Sequence, residues 1–159
     1  MPTIDDIEKE TMGCCDYIDE ISPAYRGAFQ RQKQEYKINE EALEKLKKYL
    51  EDFSIVVVFA DWCMDARRTI PVLAIIEEET GKKIAARGGM TKPPYGSDKF
   101  WAVPPSPQEV DTFEITSSPT ILIFNRDGKE IGRIKTRPKM TPTIEEEIVK
   151  IIEDSNKSS

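Results

Sequence analysis

Apolar residues first recur along this chain at helical spacing, then gather near residue 54 into an unbroken run. Ile7, Cys14, Ile18 and Ile21, with Thr3 placed to cap, predict one helix laid on an apolar surface. Ser22-Pro23 interrupts that pattern and restarts a helix carrying Tyr25, Phe29 and Tyr36, with Pro23 at its first position. Asn39, followed by Glu40 and Glu41, is an N-cap with an acidic first turn, and Ala42, Leu43, Leu46 and Leu50 form the stripe of a third helix. The β-branched run within Ser54–Ala60 fits a central strand buried on both faces. A helix follows Cys63 to about Thr80, with Pro71 in its interior and Gly81 to end it, and a strand at Lys83–Arg87 comes next.

The pattern lapses over residues 88–105, where glycines, prolines and the aromatics Tyr95, Phe100 and Trp101 indicate a loop. Those aromatics either wall a groove or cover the edge of the core. Ser106-Pro107-Gln108-Glu109 is read as a capping box opening a short helix with Val110 and Phe113. Strands at Thr120–Asn125 and Glu130–Lys135 flank the turn Arg126-Asp127-Gly128 and predict a hairpin. Thr143 and Glu146 form another capping box before Ile144, Ile148, Ile151 and Ile152. The division expected is a helical extension over 1–38, a folded domain over 39–154, and a disordered tail over 155–159.

Composition narrows the function classes. The chain has 159 residues, 38% of them hydrophobic and 33% charged, enough for one ordinary core. Its net charge of −6, from 23 basic and 29 acidic residues, opposes nucleic-acid and anionic-membrane partners. Met1–Glu10 is polar and acidic, and no run approaches the roughly 18 apolar residues of a membrane span, so a cytoplasmic protein is expected. Histidine is absent, which removes Ser-His and Cys-His catalysis. The three cysteines, Cys14, Cys15 and Cys63, fall short of the usual four-ligand thiolate metal site, so no metal or other cofactor is expected.

The chemistry centres on Cys63. Ala60-Asp61-Trp62-Cys63 follows directly on the central strand, and Pro71 lies eight residues after the cysteine. Ser118-Pro119-Thr120 precedes the next strand, and Asp127-Gly128-Lys129-Glu130 sits in the hairpin. In this order the motifs resemble the thioredoxin superfamily over about residues 39–154. The resemblance implies an α/β thioredoxin fold, a central mixed β-sheet flanked by helices, here with an N-terminal helical extension. It also implies that Pro119 is the family's cis-proline, facing the active cysteine, and that Trp62, Ser118 and Pro119 shape a substrate groove.

A cysteine at a helix start faces unpaired N–H groups and the positive end of the dipole, a setting that favours nucleophilic attack on a disulfide. Arg67 and Arg68 add positive charge nearby, and Asp61 and Asp65 oppose it. Dithiol relatives carry Cys-x-x-Cys, whereas this chain reads Cys63-Met64-Asp65-Ala66. The family's buried acid, six residues before the cysteine, is Val57 here. Turnover then needs an external thiol, or Cys14 or Cys15 as a candidate resolving thiol. Both also read as plain residues of the extension, Cys14 on its apolar stripe and Cys15 beside it.

Two functions follow from different classes. One is a monothiol thiol-disulfide oxidoreductase with Cys63 as nucleophile, acting on protein or low-molecular-weight disulfides. The other is a redox-silent module that holds a partner segment in the groove beside Pro119. A third reading makes Ala66 an introduced trap for mixed disulfides. A peroxiredoxin-type peroxidase is disfavoured because that family's threonine, three residues before its cysteine, is Ala60 here.

Overall fold

The computed structural model describes residues 1–158. In chain order it contains α1 (Cys14–Glu20), α2 (Pro23–Glu35), α3 (Glu40–Tyr49), β1 (Ser54–Val58) and α4 (Met64–Thr80). These are followed by β2 (Ala85–Arg87), α5 (Glu109–Thr112), β3 (Thr120–Phe124), β4 (Glu130–Lys135) and α6 (Ile144–Ser158). The strands form one mixed sheet in the order β2-β1-β3-β4. β1 pairs parallel with β2 and antiparallel with β3, which pairs antiparallel with β4. This is the α/β thioredoxin fold, with helices ahead of the sheet.

β1 is buried on both faces because its alternate residues feed two cores. Ile55, Val57 and Phe59 join the larger one, made with α1, α2, α3, α4 and α6. Val56, Val58 and Ala60 join the smaller, with Val110, Phe113, Leu122 and Phe124. Cys63 touches both cores and so sits where the sheet's two faces meet at the end of β1.

Three sequence expectations are corrected. The stripe Ile7–Ile21 is not one helix: a single 3-10 turn at Ile4–Asp6 gives way to extended chain before α1. That chain pairs with the exposed edge of β2, Ala86 N donating to Met12 O at 2.9 Å and Cys14 N to Ile84 O at 3.0 Å. Sheet-edge groups otherwise left unpaired outcompete local helix here. Gly13 is required at this contact, because a Cβ would run into the Glu77 carboxylate.

Ser106 does not cap α5 either, and Gln108 before that helix is already helical. The Ser106 hydroxyl instead joins Thr91, accepting from its N at 2.8 Å and donating to its O at 3.3 Å. Glu109 is buried, accepting from Arg87 Nε at 3.0 Å and from Glu8 N at 2.9 Å. Lastly, residues 155–158 are not a disordered tail: α6 runs through them to Ser158, and Ser159 lies outside the described residues. Lys157 in the last turn suits the negative end of the helix dipole. Among the described residues no helix is long and apolar enough to cross a membrane.

Candidate active site

The reactive candidate is placed by the strand that precedes it. Apolar pairing holds β1 to Val58, the chain turns through Asp61 and Trp62, and Cys63 becomes the N-cap of the 17-residue α4. No side chain caps this helix start. Cys63 is half-buried, and its Sγ donates to Ser118 O at 3.4 Å. The Ser118 hydroxyl accepts from Ala60 N at 2.8 Å, locking the two loops together on either side of the sulfur. The Ser118–Pro119 peptide is cis, and Pro119 O accepts from Thr136 N at 2.7 Å. Thr136, in the left-handed region at φ 68°, thus brings the chain after β4 to the site.

The surroundings are partly aromatic and partly charged. Trp62 is 44% exposed and lies 6.3 Å from Trp101, ring to ring, with Lys92 Nζ 5.3 Å from the Trp62 ring. Trp101 is fixed by its Nε1 donating to Thr116 O at 3.2 Å, whereas Tyr95 and Phe100 are exposed. Of the three loop aromatics, Trp101 is therefore the one that meets Trp62. The neighbouring acids are each engaged. Asp61 accepts from the Tyr17 hydroxyl at 2.7 Å and from Gly89 N at 3.3 Å. Asp65 lies 3.1 Å from Arg137 Nε and 3.9 Å from Arg68.

Ala66 is fully buried one turn beyond Cys63. Neither Cys14 nor Cys15 supplies the missing sulfur. Cys15 Sγ donates to Ala74 O at 3.3 Å, 11 residues along α4, or about 16 Å of helix from Cys63. A disulfide needs Cα atoms within about 7 Å. The Cys14 and Cys15 N–H groups donate to Glu77 at 3.1 and 3.0 Å, and Ile84 N donates to the same carboxylate at 2.7 Å. Burial, followed by the Glu77 charge, pushes the Cys14 thiol well up, and burial with the Glu77 carboxylate pushes Cys15 up to about 12. All three cysteines are free. Among the described residues no three His, Cys, Asp or Glu side chains converge to hold a metal.

A family model described as thioredoxin matches residues 12–88, which takes in α1, β1, Cys63 and β2. The chain is a member of the thioredoxin superfamily. A crystal structure of a protein of unknown function from Pseudomonas aeruginosa is similar over 100% of both chains, at 12% identity and a TM-score of 0.71. The crystal structure of an HIV epitope-scaffold is similar over 94% of each chain, at 12% identity and a TM-score of 0.62. At that identity the likeness is one of fold. No curated protein matches the chain.

This thioredoxin-like chain holds several site residues that its sequence did not mark. Thr136 and Arg137 reach Cys63's neighbourhood through pairings with Pro119 and Asp65, contacts distant in sequence and without a local motif. The Tyr17–Asp61 bond likewise joins α1 to the active-site turn. Glycine pairs can mark close approach, and Gly88-Gly89 was such a signal: a Cβ on Gly88 would strike the Tyr17 hydroxyl and Asp61.

Proposed function

We propose that the chain is a monothiol thiol-disulfide oxidoreductase with Cys63 as its nucleophile, working where an external thiol is abundant, as in a cytoplasm. The observation that carries this reading is the Cys63 sulfur, half-buried at an uncapped helix start and within 3.4 Å of Ser118 O. In the first step the Cys63 thiolate attacks one sulfur of a disulfide R–S–S–R′. A Cys63–S–S–R bond forms and R′–S⁻ leaves with the electron pair of the broken bond. In the second, an external thiol gives up its proton to solvent and attacks the R sulfur. Cys63 leaves as thiolate and a new disulfide carries off R. Trp62, Ser118 and Pro119 line the approach of the substrate. The substrates are protein or low-molecular-weight disulfides, and Cys14 and Cys15 take no part.

A second reading, a redox-silent module holding a partner segment, draws on one observation: Ala66 is buried, with exposed Trp62 and Met64 flanking Cys63 as an apolar lip. The two separate on exposure of the folded chain to hydroxyethyl disulfide, a neutral probe, followed by peptide mass mapping. The oxidoreductase gives one adduct on Cys63 that an added thiol removes, and Cys63→Ser gives none. A folded chain whose Cys63 stays unmodified supports the binding module instead.

A further inference from the structure

A cleft of about 430 Å³ opens beside the first turn of α4. Gln32, Asp65, Arg68, Thr136, Arg137 and Thr143 are among the residues lining it. It adjoins the reactive sulfur on two sides. Asp65 is two residues from Cys63 in the same turn, and Thr136 binds Pro119 O, next to the Ser118 carbonyl that receives the Cys63 sulfhydryl. The volume falls in the range of small-molecule sites, about 300–1,000 Å³.

The charge of this cleft departs from that of the chain. The whole sequence carries −6, yet here two guanidinium groups share the Asp65 carboxylate, leaving one net positive charge among those three side chains. The Arg68 and Arg137 side chains are 60% and 65% exposed. Of Arg137's donors only Nε is hydrogen-bonded among the described residues, leaving its terminal fork open. A guanidinium fork matches a carboxylate in geometry and charge. The chemistry imposes a second requirement. Without a sulfur at residue 66, and with Cys15 about 16 Å away along α4, the thiol that completes the exchange arrives on a mobile molecule.

We infer that this cleft seats a carboxylate-bearing low-molecular-weight thiol, held by Arg68 and Arg137 while its sulfur is joined to Cys63. The inference rests on the monothiol reading of Cys63 and names its substrate class: mixed disulfides between such a thiol and a protein. The Cys63 thiolate attacks the small-thiol sulfur, and the protein leaves as thiolate. A second small thiol, its proton lost to solvent, then attacks that sulfur, giving the symmetrical small disulfide and free Cys63 thiolate.

The test uses S-methylglutathione, which carries two carboxylates and no reactive sulfur, against its diethyl ester, with backbone amide shifts of the full chain as readout. The acid is expected to shift the Thr136, Arg137 and Thr143 amides saturably. The ester, and the acid with Arg68→Gln/Arg137→Gln, should bind about ten-fold more weakly. Equal binding of acid and ester, no binding of the acid, or shifts confined to other parts of the chain would overturn the assignment, whether or not the double variant folds. Parallel treatment with hydroxyethyl disulfide separates the two readings. An unmodified Cys63 with the expected amide shifts removes the chemistry and leaves the anion site. A Cys63 adduct with no binding of the acid does the reverse.

Discussion

Two helix starts in this molecule carry cysteine, and they treat it in opposite ways. Cys63 caps α4, while Cys14 and Cys15 are the first two residues of α1. Each position puts sulfur near unpaired N–H groups, which by itself favours a thiolate. At α1 those groups are already taken: the Glu77 carboxylate accepts from both Cys14 N and Cys15 N. An anion therefore sits where a thiolate would have been stabilised, in a partly dehydrated setting, and both thiols are held neutral. At α4 no carboxylate caps the start, and Asp61 and Asp65 are drawn to Tyr17 and to the two arginines. Position at a helix terminus thus confers reactivity only where nothing negative has occupied the terminus first.

The sharpest way to break this contrast is to give Cys63 a partner. Residues three apart on a helix lie on neighbouring faces, so Ala66→Cys places a second sulfur one turn away. The Cys63 adduct with hydroxyethyl disulfide should then cease to accumulate, replaced by an internal link that mass mapping finds between positions 63 and 66. An adduct that persists in the variant would mean that the first turn of α4 holds the two positions apart. The next largest effect concerns Cys15. With its thiol at about 12 against an ordinary 9.0, the thiolate fraction at pH 8 falls about 1,000-fold on folding. Alkylation of Cys15 in native protein should be slowed by that order relative to urea-unfolded chain, rising about ten-fold per pH unit as pH climbs toward 12. Native and unfolded rates within ten-fold of each other would remove Glu77 and burial as the cause.

What the sequence made legible follows from how local each signal was. The two-sided burial of β1, the capping of α3 by Asn39, the stop at Gly81 and the capping of α6 by Thr143 rest on residues within a few positions of one another. Those features recur in the structure. Cys63 at a helix start was equally visible, because strand, turn and helix are consecutive there. The edge pairing of residues 12–14 was not, since it depends on β2, about 70 residues away. Ser106 and Glu109 carried a capping pattern, but the polar atoms went to Thr91, Arg87 and Glu8. A side chain that can satisfy a distant buried donor leaves the local motif unfilled. The role of Arg137 at the site was hidden for the same reason, its partner Asp65 standing 72 positions earlier.

Glu77 tests the comparison at its anchor. Its carboxylate accepts from three N–H groups in partly buried surroundings. Glu77→Ala should therefore lower stability by about 3 kcal/mol in urea unfolding, at roughly 1 kcal/mol per donor left behind. It should also speed Cys15 alkylation in the native state, because the charge that opposes its thiolate is gone. Lost stability with unchanged Cys15 reactivity would leave burial as the whole cause.

The smallest effect tests the other helix start. The Tyr17 hydroxyl holds Asp61 at 2.7 Å, while its ring packs edge-on against Phe59 at 5.0 Å. Tyr17→Phe keeps the ring and removes only the tether, at a cost of about 1 kcal/mol. Asp61 then retains Gly89 N as its partner, at 3.3 Å, and is freer to turn toward the Cys63 loop. A carboxylate nearer the attacking thiolate should slow adduct formation on Cys63 about two- to three-fold. Adding Asp61→Asn to the phenylalanine variant should restore the rate, because the amide carries no charge, while the lost stability stays lost. A rate that does not recover would mean that Tyr17 acts on the turn through packing alone, and that the absence of an acid at α4 owes nothing to the N-terminal helices.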